Sequence, residues 1–209
     1  MTGFDADFRD RLWHLLRMRR DVRHFKTDPI PDDTLDLCLR SFSFAPSVGL
    51  SEPWRIVIVG SDAARAAARD NFRTANADAL AGYSGDDARL YAGLKLSGME
   101  QAPVHIAVWC DDTTTKGKGL GAGTMPEMRA YSCVSAVMQF WLALRSHGIG
   151  MGWVSILDPD RLAQDLTIPA GWRLIGYFCI GYPETEDDRP ELEKVGWEKR
   201  QALPEMLNR

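Results

Sequence analysis

Four arginines and one acid stand close together near the N-terminus, in the run Arg17–Arg23, and the acid is Asp21. At the end of a helix such a cluster is often only a solvated face, because cations are favoured near helix C-termini. Alternatively, guanidinium forks grip a phosphate or a carboxylate through paired hydrogen bonds. An acid between the arginines weakens a simple anion site. Asp21 therefore indicates a ligand with one anionic group and another group that needs a hydrogen-bond or proton acceptor.

The segment 45–54, Ala-Pro-Ser-Val-Gly-Leu-Ser-Glu-Pro-Trp, has the composition of a loop that leads the chain into a strand. Loops of this kind are usually mere connections. Ser47 and Ser51 can nevertheless bond the polar rim of a ligand, and Gly49 permits a close backbone approach. Composition alone leaves both interpretations open.

A glycine-rich stretch lies at Gly148–Ser155, where every second residue from 148 to 152 is glycine. This spacing suits a bulge, or a backbone that closes on a flat ligand near Gly152. It is not G-x-G-x-x-G and no helix follows directly, so a Rossmann site is poorly supported. Ser155 lacks the G-x-S-x-G context and a nearby triad partner, which argues against a hydrolytic nucleophile.

The C-terminal stretch Gly196–Arg200 combines a tryptophan with a basic pair. A charged C-terminal helix is normally just solvated. The alternative is that Trp197 and the basic pair return to complete an anion site begun at Arg19.

The 209 residues fit a single domain, 1–209, with a small excursion at about 75–95, and a hydrophobic fraction of 45% suffices for a core. The net charge of -4 gives no reason to expect nucleic acid or an anionic membrane as a partner. The four cysteines and four histidines are dispersed, so we expect buried reduced thiols and no metal. The N-terminus is acidic and lacks an apolar segment, which predicts a soluble, cytoplasmic protein without a signal peptide.

Hydrophobic periodicity and turn residues predict an α+β fold in which helices alternate irregularly with strands. Helices are expected at 4–18, from Pro31 onward, at 63–79, 90–100 and 128–145, and after Pro159, with a turn at 82–87 and a loop at 113–124. Strands are expected at 54–59, 104–110, 151–156 and 173–180, in one mixed sheet flanked by helices. The helix 128–145 is apolar on more than one face, which is typical of a central core helix or of one buried at a subunit interface.

Two of these motifs together resemble the FMN-dependent nitroreductase-like proteins: R-R-x-x-R at 19–23, after the first helix, and A-P-S-x-G-x-x-x-P-W at 45–54. The resemblance implies an α+β sandwich that forms an intertwined homodimer, with FMN at the interface. It also implies that the first arginines bind the flavin phosphate and that the loop with Ser47 lies along the flavin. Such an interface would explain the broad apolar coverage of the helix 128–145.

Further motifs are similar to one branch of this family and extend over residues 19–200. They are R-R-D-V-R at 19–23, A-P-S-V-G at 45–49, L-K-L-x-G at 94–98, Y-S-x-V at 131–134, G-W-V-S-I at 152–156 and G-W-x-x-R at 196–200. Asp21 defines the branch, because other nitroreductase-like proteins usually have Ser or Thr there. Where those proteins usually keep Asn and Gln, this chain has Leu50 and Glu52, and Glu52 adds a negative charge to the loop.

In that branch reduced FMN is the substrate, supplied by a separate flavin reductase, and molecular oxygen takes part. The ring and the ribityl chain fragment to 5,6-dimethylbenzimidazole, the lower ligand of cobalamin, and erythrose 4-phosphate. In that branch the acid matching Asp21 and the serine matching Ser155 are the functional side chains. On physical grounds, Asp21 is expected to accept or relay a proton near the ribityl chain. Ser155 is expected to hydrogen-bond the ring edge and to steer oxygen, and the segment 75–95 is expected to cover the flavin as a lid.

The residues that the resemblance implies to contact the flavin are Arg19, Arg20, Asp21, Val22, Arg23, Ser47, Ser51, Lys95, Leu96, Gly152, Ser155 and Arg200. Among them, Arg19, Arg23 and Arg200 are expected to hold the phosphate. Two other functions stay open: an NAD(P)H-dependent flavoprotein reductase of nitroaromatics or quinones, and a non-catalytic flavin carrier.

Overall fold

The computed structural model describes residues 3–94, 97–201 and 204–207. The helices are α1 (Ala6–Met18), α2 (Asp32–Leu39), α3 (Asp62–Ala81), α4 (Gly85–Gly93), α5 (Gly98–Gln101), α6 (Met128–Ser146), α7 (Pro159–Asp165) and α8 (Glu191–Lys194). The strands are β1 (Trp54–Ile58), β2 (Val104–Asp111), β3 (Gly150–Val154) and β4 (Trp172–Gly181). Short 3-10 helices follow α2 at Arg40–Phe44 and Val48–Leu50. The main predicted helices and all four strands are present, with boundaries shifted by a few residues.

Two predicted boundaries within the excursion are wrong. The stretch 82–87 is not all turn, because α4 already begins at Gly85. The predicted single helix 90–100 is replaced by two helices, since α4 ends at Gly93 and the one-turn helix α5 begins at Gly98. Glycine is a poor helix former, which explains why α4 ends there.

The segment 196–201 forms no helix. The only helix of the described tail is α8, which ends before Gly196, and the residues 197–201 have no regular structure. Gly196 has φ +80°, a left-handed conformation that commonly ends helices because glycine adopts it without a steric penalty.

The four strands form one sheet in the order β1-β2-β4-β3, and every ladder between them is antiparallel. The α+β class is confirmed. The parallel component of the predicted mixed sheet is confined to an isolated bridge between Asp21 and Met151, at the outer edge of β3. The difference arises because a period-2 pattern reports which face a side chain takes and says nothing of the direction of the neighbouring strand.

Strand β2 shows how the two faces of the sheet are covered. Ile106 and Val108 pack into the cluster that α6 shares, while Ala107 and Trp109 pack into the cluster shared by α3 and α7. Side chains alternate between faces along a strand, so a central strand covered on both sides is apolar throughout. The sheet is therefore the middle layer between α6 and the pair α3 and α7.

Helix α6 has one face in the core and a second apolar face outside it. Its buried apolar side chains are Cys133, Ala136, Val137, Phe140, Trp141 and Leu144. Tyr131, Val134 and Met138 lie at helical spacing on another face and remain exposed. Helix α1 has no buried residue and exposes Trp13 to 62%. Core packing thus accounts for one face of α6, and an apolar stripe on α6 and α1 is left at the surface of the chain.

The backbone of Val22 lies directly against β3. Its N–H donates to the carbonyl of Met151 at 3.1 Å. A Cβ on Gly152 would lie 2.3 Å from the Val22 carbonyl oxygen, and one on Gly150 would lie 2.6 Å from the Val22 side chain. The alternating glycines therefore make room for the chain itself, and this approach brings Asp21 to the edge of the sheet.

We expect Gly152→Ala to lower the free energy of unfolding by about 1–3 kcal/mol, because the new methyl group meets a backbone carbonyl that has no room to move. Gly60→Ala is the matched control, since a Cβ there meets nothing within 4 Å. It should change the stability by less than about 0.5 kcal/mol. Urea unfolding measures both. Equal stabilities of the two variants would contradict the packing of Val22 on β3.

His105 on β2 is buried and its Nδ1 lies 2.7 Å from the hydroxyl of Tyr177. Burial lowers the pKa of His105 from 6.5 to about 4, and the positive charge of Arg65 nearby acts in the same direction. Burial also raises the pKa of the Tyr177 hydroxyl, so both groups stay neutral at pH 7.

Because of His105, the stability of the folded protein decreases as the pH is lowered below neutrality. In the unfolded chain the imidazole takes up a proton below pH 6.5, whereas in the folded protein it stays neutral down to about pH 4. The unfolded state thus binds more protons in this range, and we expect the folded state to lose about 3 kcal/mol between pH 7 and pH 4 on this account. Urea unfolding over this range should show a shallower loss for His105→Gln. Equal slopes for the wild type and His105→Gln would contradict the assignment.

The four cysteines are buried and free, as their dispersed spacing predicted. Within the described residues, no three or more histidine, cysteine or acidic side chains are grouped so as to hold a metal ion. No helix of that part of the chain combines the length and the apolar character needed to cross a membrane.

Candidate functional site

A cavity of about 380 Å³ lies between the arginine run and the C-terminal tail. Its wall on the N-terminal side consists of Arg19, Arg20, Asp21 and Arg23. The opposite wall consists of residues 190–193 and 198–200. The volume is within the range of about 300–1,000 Å³ that is typical of small-molecule sites. The structure therefore joins two segments that are separated by most of the sequence.

Asp21 is held at the cavity wall by β3. Its Oδ1 accepts a hydrogen bond from the backbone N–H of Trp153 at 2.8 Å, while Oδ2 lies 3.8 Å from Nε of Arg23. Burial raises the pKa of the Asp21 carboxyl above its usual range, and the bond from Trp153 and the charges of Arg23 and Arg19 oppose this. The backbone thus fixes Oδ1, and Oδ2 remains available to exchange a proton with a ligand.

Arg23 contributes a donor without an acceptor. Its side chain is 13% exposed, and within the described chain its buried Nε has no hydrogen-bond partner. An unpaired buried donor is costly, and a charged one more so. An anionic oxygen in the cavity would satisfy it. The donor set therefore fits a phosphate group.

Arg19 and Arg20, the neighbouring arginines, make different contacts. Arg19 lies with its guanidinium carbon 4.6 Å from the ring centre of Trp141, a cation–π contact that fixes its direction. Arg20 donates through Nε to the carbonyl of Asp188 at 2.8 Å and through Nη1 to the carbonyl of Arg19 at 2.7 Å. Arg19 thus presents a charge to the cavity, whereas Arg20 mainly attaches the tail to the arginine run. The predicted flavin contact of Arg20 stays a prediction.

Arg200 lines the cavity together with Lys199, so the predicted return of the tail to Arg19 is found. Lys199 was not singled out from the sequence, although it belongs to the basic pair of the motif. Nothing in the sequence pattern pointed to the wall residues 190–193, because they form a wall only through the path of the tail.

Ser155 lies outside this cavity. It is exposed directly after β3, two residues beyond Trp153, and is not among the residues that line the cavity. Gly152 and Val22 face a much smaller space beside Asp21 and contact each other. Two further predicted flavin contacts, Lys95 and Leu96, fall outside the described residues.

Ser47 and Ser51 do not line the arginine cavity either. The Oγ of Ser47 accepts a hydrogen bond from the N–H of Glu52 at 3.1 Å. Ser51 is buried, and its Oγ has no partner in the described part of the chain. The carboxylate of Glu52 forms an ion pair with Lys116, which offsets the extra negative charge of this loop. Within one chain, the loop with Ser47 and Ser51 is therefore separate from the arginine cavity, although the resemblance implies that both contact the same flavin.

A model of the nitroreductase family matches residues 16–182. The chain belongs to the nitroreductase family. It is 47% identical over 201 residues to a 5,6-dimethylbenzimidazole synthase of Rhodospirillum rubrum, covering 96% of this chain and 95% of the relative. A synthase of the same name from Rhodobacter capsulatus is 42% identical and covers 94% and 95% of the two chains. The resemblance to this branch is confirmed, and the chain is accordingly an enzyme of the oxidoreductase class.

The crystal structure of an iodotyrosine deiodinase bound to FMN and 3-iodo-L-tyrosine superposes with a TM-score of 0.71 at 21% identity. The superposition covers 95% of this chain and 97% of the other. This likeness confirms the nitroreductase fold. Together with the family, the sequence relatives support a flavin-related function.

Proposed function

We propose that this enzyme uses reduced FMN as its substrate and, with molecular oxygen, fragments it to 5,6-dimethylbenzimidazole and erythrose 4-phosphate. The observation that carries the proposal is Asp21, a carboxylate fixed by the N–H of Trp153 at the wall of an arginine-lined cavity. The high identity to synthases of that name supports the same conclusion. Reduced FMN supplies the electrons for oxygen. Its dimethylbenzene ring, the two attached nitrogens and one ribityl carbon form 5,6-dimethylbenzimidazole, the other four ribityl carbons and the phosphate form erythrose 4-phosphate, and the pyrimidine part of the ring leaves as a further fragment.

The cavity residues orient the substrate through its phosphate. Arg19 and Arg23 provide charge on one side, and Arg200 provides it from the tail. Nε of Arg23 is the donor that gains most from a phosphate oxygen, because it is buried and has only the 3.8 Å ion pair with Asp21 and no hydrogen bond in the described chain. A substrate fixed at this end has its ribityl chain and ring directed out of the arginine cluster, which is positioning by geometry and charge.

Asp21 then acts on a proton near the ribityl chain. Its pKa is raised by burial, so the carboxylate is a better proton acceptor than an exposed aspartate. The bond from Trp153 occupies Oδ1, which leaves Oδ2 to accept or relay the proton. Ser155 hydrogen-bonds the ring edge in this proposal and guides oxygen, and the segment 75–95 excludes water as a lid.

The enzyme acts as a homodimer in this proposal. The exposed stripe with Val134 and Met138 on α6, and the unburied helix α1, supply an apolar surface of the kind that interfaces cover. The loop with Ser47 and Ser51 reaches the flavin from the second chain, which accounts for its separation from the arginine cavity of its own chain. A separate flavin reductase delivers the reduced substrate.

One reaction distinguishes this function from its alternatives. The protein is incubated with chemically reduced FMN in air, and the mixture is separated by chromatography with mass detection. We expect 5,6-dimethylbenzimidazole to appear and FMN to disappear. Continuous oxidation of NAD(P)H with retained flavin would instead support a reductase, the function suggested by the family name. Intact FMN with neither activity would indicate a flavin carrier.

A further inference from the structure

Three aromatic rings join the helical excursion to the tail that carries Arg200. Tyr83, between α3 and α4, stacks on Tyr91 of α4 with ring centres 4.8 Å apart. Trp197 of the tail lies edge-on to Tyr83 at 5.7 Å and tilted against Tyr91 at 6.4 Å. The hydroxyl of Tyr91 donates to the side-chain oxygen of Asn76 on α3 at 2.9 Å. Tyr91 is also buried, so the excursion presents a fixed surface to Trp197. We call these three rings the aromatic clasp.

Contacts of Arg20 and of Trp197 both attach the tail, and the cationic pair lies beyond Trp197. Arg20 attaches the tail at the carbonyl of Asp188. Trp197 attaches it again, because its ring enters the clasp while its backbone N–H donates to the carbonyl of Leu192 at 2.8 Å. The two residues that follow Glu198 are exposed cations of the cavity wall. Their long side chains would otherwise be free to move, and fixing them costs conformational entropy.

We propose that Trp197 is a positioning residue that acts through the aromatic clasp to hold Lys199 and Arg200 at the cavity. The clasp thereby couples the order of the excursion, with Tyr83 and Tyr91, to the recognition of a phosphate group. Trp197 itself does not line the cavity, so its effect reaches the ligand only through the cations. The proposal rests on the proposed function for the identity of the ligand and on the described contacts for the coupling.

The first test measures binding of oxidised FMN and of riboflavin, which lacks the phosphate, by flavin fluorescence. Trp197→Ala should weaken FMN binding by about tenfold, the effect expected from losing two aromatic contacts that hold the cations. It should change riboflavin binding less than about twofold, and Trp197→Phe should restore most of the FMN affinity. Adding Trp197→Ala to a variant that lacks both cations, Lys199→Ala with Arg200→Ala, should weaken FMN binding by less than about twofold more, since Trp197 acts only through these two side chains. Ile58→Ala, at an exposed apolar residue of β1 outside the cavity and outside the stripe on α6 and α1, is the control.

The second test needs no flavin. In Trp197→Ala, hydrogen exchange of the free protein should become faster both in 76–91 and in 192–201, whereas Ile58→Ala should leave both segments unchanged. An unchanged exchange rate in 76–91 would overturn the coupling, and so would equal losses of FMN and riboflavin binding. A wild-type protein without preference for FMN over riboflavin would contradict the proposed function instead, and the exchange rates would then decide on the clasp alone.

Discussion

Asp21→Asn is expected to lower the rate of 5,6-dimethylbenzimidazole formation by a factor of about 10²–10⁴, the range typical for losing a general acid or base. Asparagine keeps an oxygen that can accept the N–H of Trp153, so the local geometry persists. It cannot take up a proton at the second position, where the Asp21 carboxylate lies 3.8 Å from Arg23. Affinity for oxidised FMN should stay within about threefold, because the phosphate is held by the arginines. Single-turnover reaction of reduced FMN with oxygen, followed by mass detection, measures the rate.

Glu198→Gln is the matched control for this result. Glu198 also lines the cavity, yet it lies on the tail and has no part in the proposed proton transfer. We expect its rate to stay near that of the wild type. Product formation by Asp21→Asn at the wild-type rate would remove Asp21 from the mechanism. A large loss of FMN affinity would mean that Asp21 holds the ligand.

Arg23→Met should weaken the binding of FMN by about 10- to 100-fold and leave riboflavin binding nearly unchanged. The buried Nε of Arg23 has no acceptor in the described chain, so most of its hydrogen-bonding energy becomes available only when an anion binds. A charge-assisted bond of this kind contributes about 1.5–3 kcal/mol. Methionine keeps an apolar stem of similar length, but it also removes the ion-pair partner of Asp21. The thermal midpoint of the free protein therefore measures the cost to stability separately from the affinities. Fluorescence titration with the two flavins gives the affinities.

Arg17→Met provides the comparison within the same run. Arg17 is exposed at the end of α1 and does not line the cavity. It represents the solvated face that the basic run also suggested, and its removal should change FMN affinity less than about twofold. Equal effects of the two substitutions, or equal losses of FMN and riboflavin binding in Arg23→Met, would contradict a specific phosphate contact and favour a general charge effect.

The elements of the fold were predictable because they depend on local patterns. Apolar residues at helical spacing in α6 and alternating β-branched residues in β1 report their structure within one element. The errors fall where glycine makes the local preference weak, at Gly85 and at Gly93. The alternating glycines of β3 were recognised as a place of close approach, but the partner proved to be Val22 of the same chain.

The sequence by itself determined the chemistry that this site is able to offer: a cluster of arginines, an acid among them and a basic pair in the tail. It also determined the family, because these motifs extend over most of the chain. Only the tertiary structure decided which of these groups meet. Asp21 accepts a hydrogen bond from Trp153, 132 positions away in the sequence, and Arg20 donates one to Asp188, 168 positions away.

Such contacts have no local signature, since each depends on how the sheet and the tail bring distant backbone groups together. For the same reason Arg23 and Arg20 differ. Arg23 keeps an Nε without a hydrogen-bond acceptor in the described chain, whereas Arg20 donates to backbone carbonyls. The two arginines are equivalent in the sequence and differ only by the carbonyls that the fold places beside them.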